Sequence, residues 1–362
     1  MNTADLEKLL LAACEQRASD VIITAGAPPT LRIDGLIRMK DGVALDGETT
    51  KALVYGVLSG EQVRQLEWHR ELDFSITRQG HRFRGNAYWQ SGSVAAAFRL
   101  IPDVIPRPED LGIPEIAVDF AQRPQGLVLI TGASSQGKTT SQASLVNYVN
   151  RHVSKHIITV EDPIEFVHTN ELSIVDQREL GSDTLSFAEA LRHALRESPD
   201  MIVVGEMRDP ETTRAALIAA ETGHLVLSTL HTNDACQALN RMIELFPESE
   251  QAQIRGQLSL SLLAVLAQRL VRSKDGRLVM ASEILHNTHA VGNTIREGHI
   301  HQLYSTMEAG RRHGMWTMNQ ALEELRARGV ISEAEINRYL SVHESYRAVQ
   351  PAPAASARAA GR

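Results

Sequence analysis

Along residues 1–100 short apolar runs alternate with polar turns, whereas from residue 125 the apolar runs are unbroken and separated by helical stretches. In the first region Asp20–Thr24 (DVIIT), Thr30–Ile33 and Arg82–Gln90 (RFRGNAYWQ) read as strands. Asp34-Gly35, between Leu31-Arg32-Ile33 and Leu36-Ile37-Arg38, signals a hairpin, because such a pair accepts the positive φ that a two-residue turn needs. With helices expected near residues 4–17 and 48–68, the pattern predicts a small α+β domain over 1–100. Ile101–Leu111 (IPDVIPRPEDL) then carries three prolines. Proline fixes φ and removes a donor, so this stretch is expected to be neither helix nor central strand, and a linker is placed at 101–112.

In the second region GLVLI, HIITV, MIVVG and HLVLSTL fit strands covered on both faces. Their alternation with helical stretches predicts an α/β core over 113–285 with a largely parallel sheet. The helix after Met207 has its ends written out: Asp209 caps it, Pro210 suits its first turn and Gly223 stops it. Beyond 280 the chain reads as helical, with a helical region placed at 286–349, and Ser332-Glu333-Ala334-Glu335 fits a capping box. Residues 350–362 (QPAPAASARAAGR), poor in bulky apolar groups, are expected to be disordered.

Composition narrows the classes. A chain of 362 residues exceeds one ordinary core, so two domains are expected. A net charge of -7 offers no footprint for a nucleic-acid partner. The two cysteines, Cys14 and Cys236, lie in helical patterns and read as half-buried thiols of a reducing compartment, too few for a cysteine zinc site. The N-terminus lacks the basic region and cleavage site of a signal peptide, and no stretch approaches the roughly twenty apolar residues of a membrane span. A cytoplasmic protein is expected.

One motif carries chemistry outright. Gly132-Ala133-Ser134-Ser135-Gln136-Gly137-Lys138-Thr139 matches G-x4-G-K-[ST], preceded by a strand (Gly126–Ile130) and followed by a helix (Thr140–Asn150). A chance match in a chain of this length arises about once in a hundred on average residue usage. Loop N–H groups and the helix N-terminus would surround phosphates, Lys138 would reach the β- and γ-phosphates, and the Thr139 hydroxyl would bind Mg²⁺. Gly132, Ser134, Ser135, Gln136, Gly137, Lys138, Thr139 and Thr140 are thus the expected nucleotide contacts, and ATP with Mg²⁺ the expected ligands.

Hydrolysis needs a further acid. Four apolar residues of Met201–Glu206 put Glu206 at the carboxyl edge of the sheet, where it reads either as the group that polarises the attacking water or as a solvated strand-end glutamate. Gly205 stands where many P-loop enzymes hold an aspartate on Mg²⁺. A second acidic group, Glu161-Asp162, follows another strand. His224 opens and His231 closes a third strand, roughly 23 Å apart if it is fully extended, so they are not ligands of one metal. Singly, each reads more readily as structural than as functional.

Taken in order, GASSQGKTT, TVEDPIEFVH, SPDMIVVGEMRD and TGHLVLSTLHT resemble the Walker A, Asp box, Walker B and His box of secretion-type motor ATPases. The resemblance is to the PilT/PilU family of type IV pilus retraction ATPases and covers nearly the whole chain, with SDVIITAGAPPTLRIDG and RFRGNAYWQSGSVAAAFRLIP similar to its N-terminal domain and LFPESE and TIREG to its C-terminal region. It implies a PAS-like N-terminal α+β domain followed by a RecA-like P-loop ATPase domain with C-terminal helices. It implies Glu206 as catalytic glutamate, Glu161 near Mg²⁺ and the water, and His224 and His231 as nucleotide sensors or couplers. It implies a hexameric ring, homomeric or mixed with a PilT-like paralogue, that docks on a platform protein at the cytoplasmic face of the inner membrane. Arginines of a neighbouring subunit would complete each site, and Arg82, Arg84 and Arg99 stand in the matching segments, although as arginines alone they read equally as surface residues. The missing tetracysteine cluster favours retraction over assembly. Ser135-Gln136 replaces the family's usual Gly-Ser, and Gly292 replaces a common arginine, traits that resemble an accessory, PilU-like paralogue. A weakly active regulatory or scaffolding subunit, or a secretion or conjugation motor, are the alternatives.

Overall fold

The computed structural model describes residues 3–16, 18–33, 36–39, 42–102 and 104–339. The chain divides into two compact units, Met1–Ile105 with Pro163–Val167, and Pro106–Asp162 with His168–Arg362.

The first unit contains α1 (Thr3–Glu15), β1 (Asp20–Ile23), β2 (Thr30–Ile33), β3 (Leu36–Met39), α2 (Gly47–Tyr55), α3 (Gly60–His69), β4 (Glu71–Arg78), β5 (His81–Gln90) and β6 (Ser93–Leu100). Its six strands pair in the order β3-β2-β1-β6-β5-β4, all antiparallel. The Asp34-Gly35 turn itself lies outside the described residues, but β2 and β3 pair in hairpin register, Ile33 opposite Leu36. Alternation sets the core face: β5 buries Phe83, Gly85 and Ala87 and turns Arg82, Arg84 and Asn86 the other way. Leu6, Leu9, Leu10 and Ala13 of α1, spaced three and four apart, complete that core. The single helix expected over 48–68 is two helices. Ser59 starts the second with a full capping box, its side chain accepting from Gln62 N–H while the Gln62 side chain accepts from Ser59 N–H.

The second unit runs α4 (Pro108–Leu111), α5 (Glu115–Ala121), β7 (Gly126–Thr131), α6 (Lys138–His152), β8 (His156–Glu161), β9 (Ile174–Glu179), α7 (Phe187–Ala194), β10 (Met201–Val204), α8 (Pro210–Glu221), β11 (Leu225–Leu230), α9 (Ala235–Glu244), α10 (Glu248–Ser261), β12 (Leu262–Arg272), β13 (Leu278–His286), α11 (His289–Glu297), α12 (Leu303–Ala309) and α13 (Met318–Ala327). The strand order is β13-β12-β7-β11-β10-β8-β9, parallel except for β13. Every residue of β7, β10 and β11 is buried. Leu127 and Leu129 face one core with α8, α9 and α10, while Val128 and Ile130 face the other with α5 and α6. This two-sided burial explains the unbroken apolar runs.

Several local readings need correction. The linker ends in one helical turn, α4, with Pro108 at its first position, where a missing N–H costs nothing. Strand β9 (IVDQRE) has no apolar run, and β12 and β13 pass from an apolar run into polar residues, Gln268-Arg269 and Ser282-Glu283, yet all three are strands, so the chain is still strand up to His286. Ser332 accepts from Glu335 N–H, but the Glu335 carboxylate accepts from Arg272 N–H, so it ties the helix at 333–339 to β12. The expected disordered tail, 350–362, lies outside the described residues. The α8 start is as expected: Asp209 accepts from Thr212 N–H, Pro210 opens the helix, and Gly223 follows its end at φ +104°.

Candidate active site

The strands of a parallel sheet deliver their C-terminal ends to one edge, and here β7, β11, β10 and β8 deliver the P-loop, His231, Glu206 and Glu161 to it. Register makes this concrete: Thr131 pairs with Leu230, Ser228 with Val204, and Val204 with Val160. The edge is locked by Thr131, whose hydroxyl lies 2.6 Å from the Thr232 hydroxyl and accepts from Thr232 N–H at 3.1 Å. Gln142, buried on α6, donates to the carbonyl of Val204, fixing the helix below the loop to the end of β10.

The P-loop needs glycine at two places for different reasons. A Cβ at Gly132 would lie 2.6 Å from the Gln268 carbonyl oxygen, and Gly137 caps α6 at φ +79°. Ser135 also sits in the left-handed region, at φ 61°, although it is not glycine. Gln136 is held at both ends by β12: its backbone carbonyl accepts from Gln268 Nε2 at 2.6 Å, and its Oε1 accepts from Leu270 N–H at 2.7 Å.

Lys138 is buried, and its Nζ donates to the carbonyls of Gly132 and Ala133 at 2.8 and 2.9 Å. Nζ also lies 3.4 Å from His231 Nδ1. An ammonium only donates, so Nδ1 accepts and the imidazole proton sits on Nε2, 3.5 Å from Glu206 Oε2. Burial and the Lys138 charge hold the His231 pKa below the ordinary histidine value, which keeps this tautomer neutral. Glu206 Oε2 also accepts from Arg208 Nε at 2.6 Å; the glutamate is mostly buried, the arginine 72% exposed. Arg208 was not singled out from the sequence, where an arginine one turn past a strand reads as a surface residue.

Gly205 has a steric reason. Its N–H donates to the Val160 carbonyl, and a Cβ there would lie 3.3 Å from that oxygen and 3.4 Å from Glu161 Cα, so no aspartate enters without shifting β8. Glu161 is the acid that stands beside this gap. Its Oε1 accepts from Thr159 Oγ1 at 2.6 Å and from Gln177 Nε2 at 3.0 Å, while Gln177 Oε1 accepts from His168 N–H. Gln177, on the unforeseen strand β9, therefore orients Glu161, and no local signal in the sequence marks it.

His224 does not join this cluster within the chain. It precedes β11 at the opposite edge, its carbonyl accepting from Gly126 N–H and its Nδ1 3.2 Å from the Ala219 carbonyl. Arg84 and Arg99 are directly paired on β5 and β6 of the first unit, and Arg99 Nε bonds Asp20 at 3.0 Å. Arg82 donates to Ser75. Among the described residues no helix is long and apolar enough to cross a membrane.

The family model described as Type II/IV secretion system protein matches residues 114–348. The chain is 43% identical over 343 residues to the type IV pilus retractation ATPase PilT of Pseudomonas aeruginosa, covering 94% of this chain and 100% of that protein. It is 42% identical over 330 residues to the type IV pilus ATPase PilU of the same organism, covering 91% and 86%. The crystal structure of the pilus retraction motor PilT with bound ADP superposes with a TM-score of 0.86 at 46% identity, covering 91% of this chain and 95% of that one. The ATPase DotB of Legionella pneumophila gives 0.78 at 27% identity, covering 94% and 96%. The expected fold class, an N-terminal sheet domain followed by an α/β ATPase domain, holds. The chain belongs to the type II/IV secretion system protein family and, within it, to the PilT/PilU group of ATP-hydrolysing motors.

Proposed function

We propose that this protein is a Mg²⁺-dependent motor that retracts a type IV pilus and so powers twitching, working as a hexamer, homomeric or shared with a PilT-like paralogue, against a platform protein at the cytoplasmic face of the inner membrane. The observation that carries the proposal is the line Lys138–His231–Glu206, in which a phosphate-binding lysine and a strand-end carboxylate are joined through one neutral imidazole. Phosphate oxygens would compete with the Gly132 and Ala133 carbonyls for Lys138 Nζ, and a change there reaches Glu206 through a single ring.

Thr139 and Glu161 offer the hydroxyl and carboxylate oxygens that suit Mg²⁺, and with Gly205 excluding an aspartate they would hold the ion together with the nucleotide phosphates. That ion would draw charge from the transferring phosphoryl group. Glu206 is the general base for the attacking water, and His231 holds its carboxylate by the Nε2 proton. Arg82, Arg84 and Arg99 are candidates for charge stabilisation from a neighbouring subunit.

Glu206→Gln is expected to bind ATP as wild type does and to lose turnover by at least about a hundredfold, the scale of general-base catalysis. Equal turnover in the two proteins would overturn the catalytic assignment. A weakly active regulatory subunit is the second reading, favoured by the positive φ of Ser135. Wild-type protein that binds ATP but turns it over no faster than Glu206→Gln, alone or with a PilT-like partner, supports that second reading. Deleting the gene is expected to leave surface pili in excess and twitching lost; a bald cell points to assembly instead.

A further inference from the structure

Among the described residues, the catalytic edge does not use the most deeply buried carboxylate of the ATPase unit. Glu283 lies in the middle of β13, is 1% exposed, and spends its two oxygens on two different helices. Oε1 accepts from Ala235 N–H at 2.9 Å and Oε2 from Met318 N–H at 3.1 Å, and each donor is the first residue of its helix, α9 and α13. Both helices already have their own caps, Asp234 on Gln237 N–H and Thr317 on Gln320 N–H. Glu283 is therefore not needed to start either of them. What it adds is a link between them.

The two helices belong to different parts of the machine. α9 begins four residues after His231, and the intervening Thr232 is hydrogen-bonded to Thr131 at the root of the P-loop. The start of α13 is stitched to β13: Trp316 and Ile284 exchange backbone hydrogen bonds at 3.0 and 3.2 Å, and Trp316 Nε1 donates to the Ser282 carbonyl at 2.7 Å. The route from His231 to α13 is short: a hydrogen-bonded loop leads to Ala235, and one buried carboxylate joins Ala235 to Met318. Filling space does not account for the residue. Burial pushes its carboxyl up to about 7, opposed by the N–H groups of Ala235 and Met318 and by Arg269 and reinforced by Asp234, so a leucine-sized apolar group would spare the fold that cost.

We propose that Glu283 is a positioning residue that clamps the His231 loop to the C-terminal helices, so that the nucleotide state at the P-loop is transmitted to α13. The proposal rests on the motor reading above, with His231 as the group that responds to nucleotide.

The clamp can be cut without touching the carboxylate. Proline fits the first position of a helix and lacks the N–H. Asp234 and Thr317, which precede the two positions, have ψ of 169° and 161°, the extended conformation that a residue before proline adopts. In the full-length protein, Ala235→Pro, Met318→Pro and Glu283→Gln would be compared by steady-state ATP turnover and by amide exchange with ADP or a non-hydrolysable ATP analogue bound. Wild type is expected to exchange the amides at the start of α13 at different rates in the two nucleotide states. Each proline variant is expected to lose that difference and to lose about tenfold in kcat, the scale of one buried hydrogen bond, with KM for ATP within about twofold. Glu283→Gln, which keeps one acceptor oxygen, is expected to fall between them and wild type.

Wild-type exchange differences and kcat in both proline variants would overturn the clamp, as would an α13 in the wild type that does not respond to nucleotide. Turnover that survives in Glu206→Gln would instead overturn the catalytic reading beneath it. A variant that misfolds would show lost protection throughout the ATPase unit rather than at α13 alone, and the other proline variant then decides.

Discussion

At the scale of single residues, the P-loop of this chain carries a side chain at a left-handed position that favours glycine. Ser135 holds φ at 61°, a conformation that costs a residue with a Cβ about 1–2 kcal/mol. The strain is local, since its neighbour Gln136 has exchanged flexibility for two bonds to β12. Ser135→Gly is therefore expected to raise thermal stability by about 1 kcal/mol, read as a higher midpoint in a melt, and to leave nucleotide affinity in place. A lower midpoint would mean that the serine side chain makes up for its strain. Gly205 shows the reverse case, in which a residue that looks like a lost metal ligand sits so close to β8 that a Cβ would lie 3.3 Å from the Val160 carbonyl oxygen.

At the scale of elements, Gly292 decides how closely two helices approach. It is buried in α11, and a Cβ there would lie 3.1 Å from the Ser259 carbonyl of α10 and 3.3 Å from Asn287 Oδ1. Asn287 itself donates to the carbonyls of Ser259 and Leu262, so the group that would have to yield is already committed. A glycine inside a helix ordinarily gains about 0.5–1 kcal/mol on replacement by alanine. Here the contact cancels that gain, and Gly292→Ala is expected to melt no higher than wild type, with Gly292→Arg lower. A clear rise for the alanine variant would show that α10 and α11 can separate without cost.

At the scale of the whole molecule, Glu283 ties stability to pH. The unfolded chain ionises such a carboxyl near 4.5, whereas burial holds it in the fold up to about 7. Between those values the folded state keeps a proton that the unfolded chain has released, so stability falls as pH rises through that window. Glu283→Gln removes this contribution, and its unfolding free energy is expected to vary less between pH 4.5 and 7 than that of wild type, as followed by denaturant titration. An unchanged slope would mean that the carboxyl titrates normally. The molecule also divides in a way that chain order hides: Pro163–Val167 belongs to the first unit, and within it Ile164 and Phe166 are buried.

The sequence by itself determined whatever depends on neighbouring residues. The P-loop, the caps of α8 and the buried strands are written in local spacing, because turn geometry, cap hydrogen bonds and two-sided burial each act over a few residues. So was the arrival of Glu206 at a strand end. Only the tertiary structure decided which of these ends meet. His231 reaches Glu206 across two adjacent strands, and His224 is sent to the far edge by the same strand. Gln136 finds its partners on β12, more than 130 residues away. Gln177 orients Glu161 from a strand with no apolar run to announce it, and Glu283 lies on β13, in a stretch that the sequence reads as turning helical. Such contacts depend on strand order and on burial within the folded sheet, and neither is encoded in a residue's immediate neighbours.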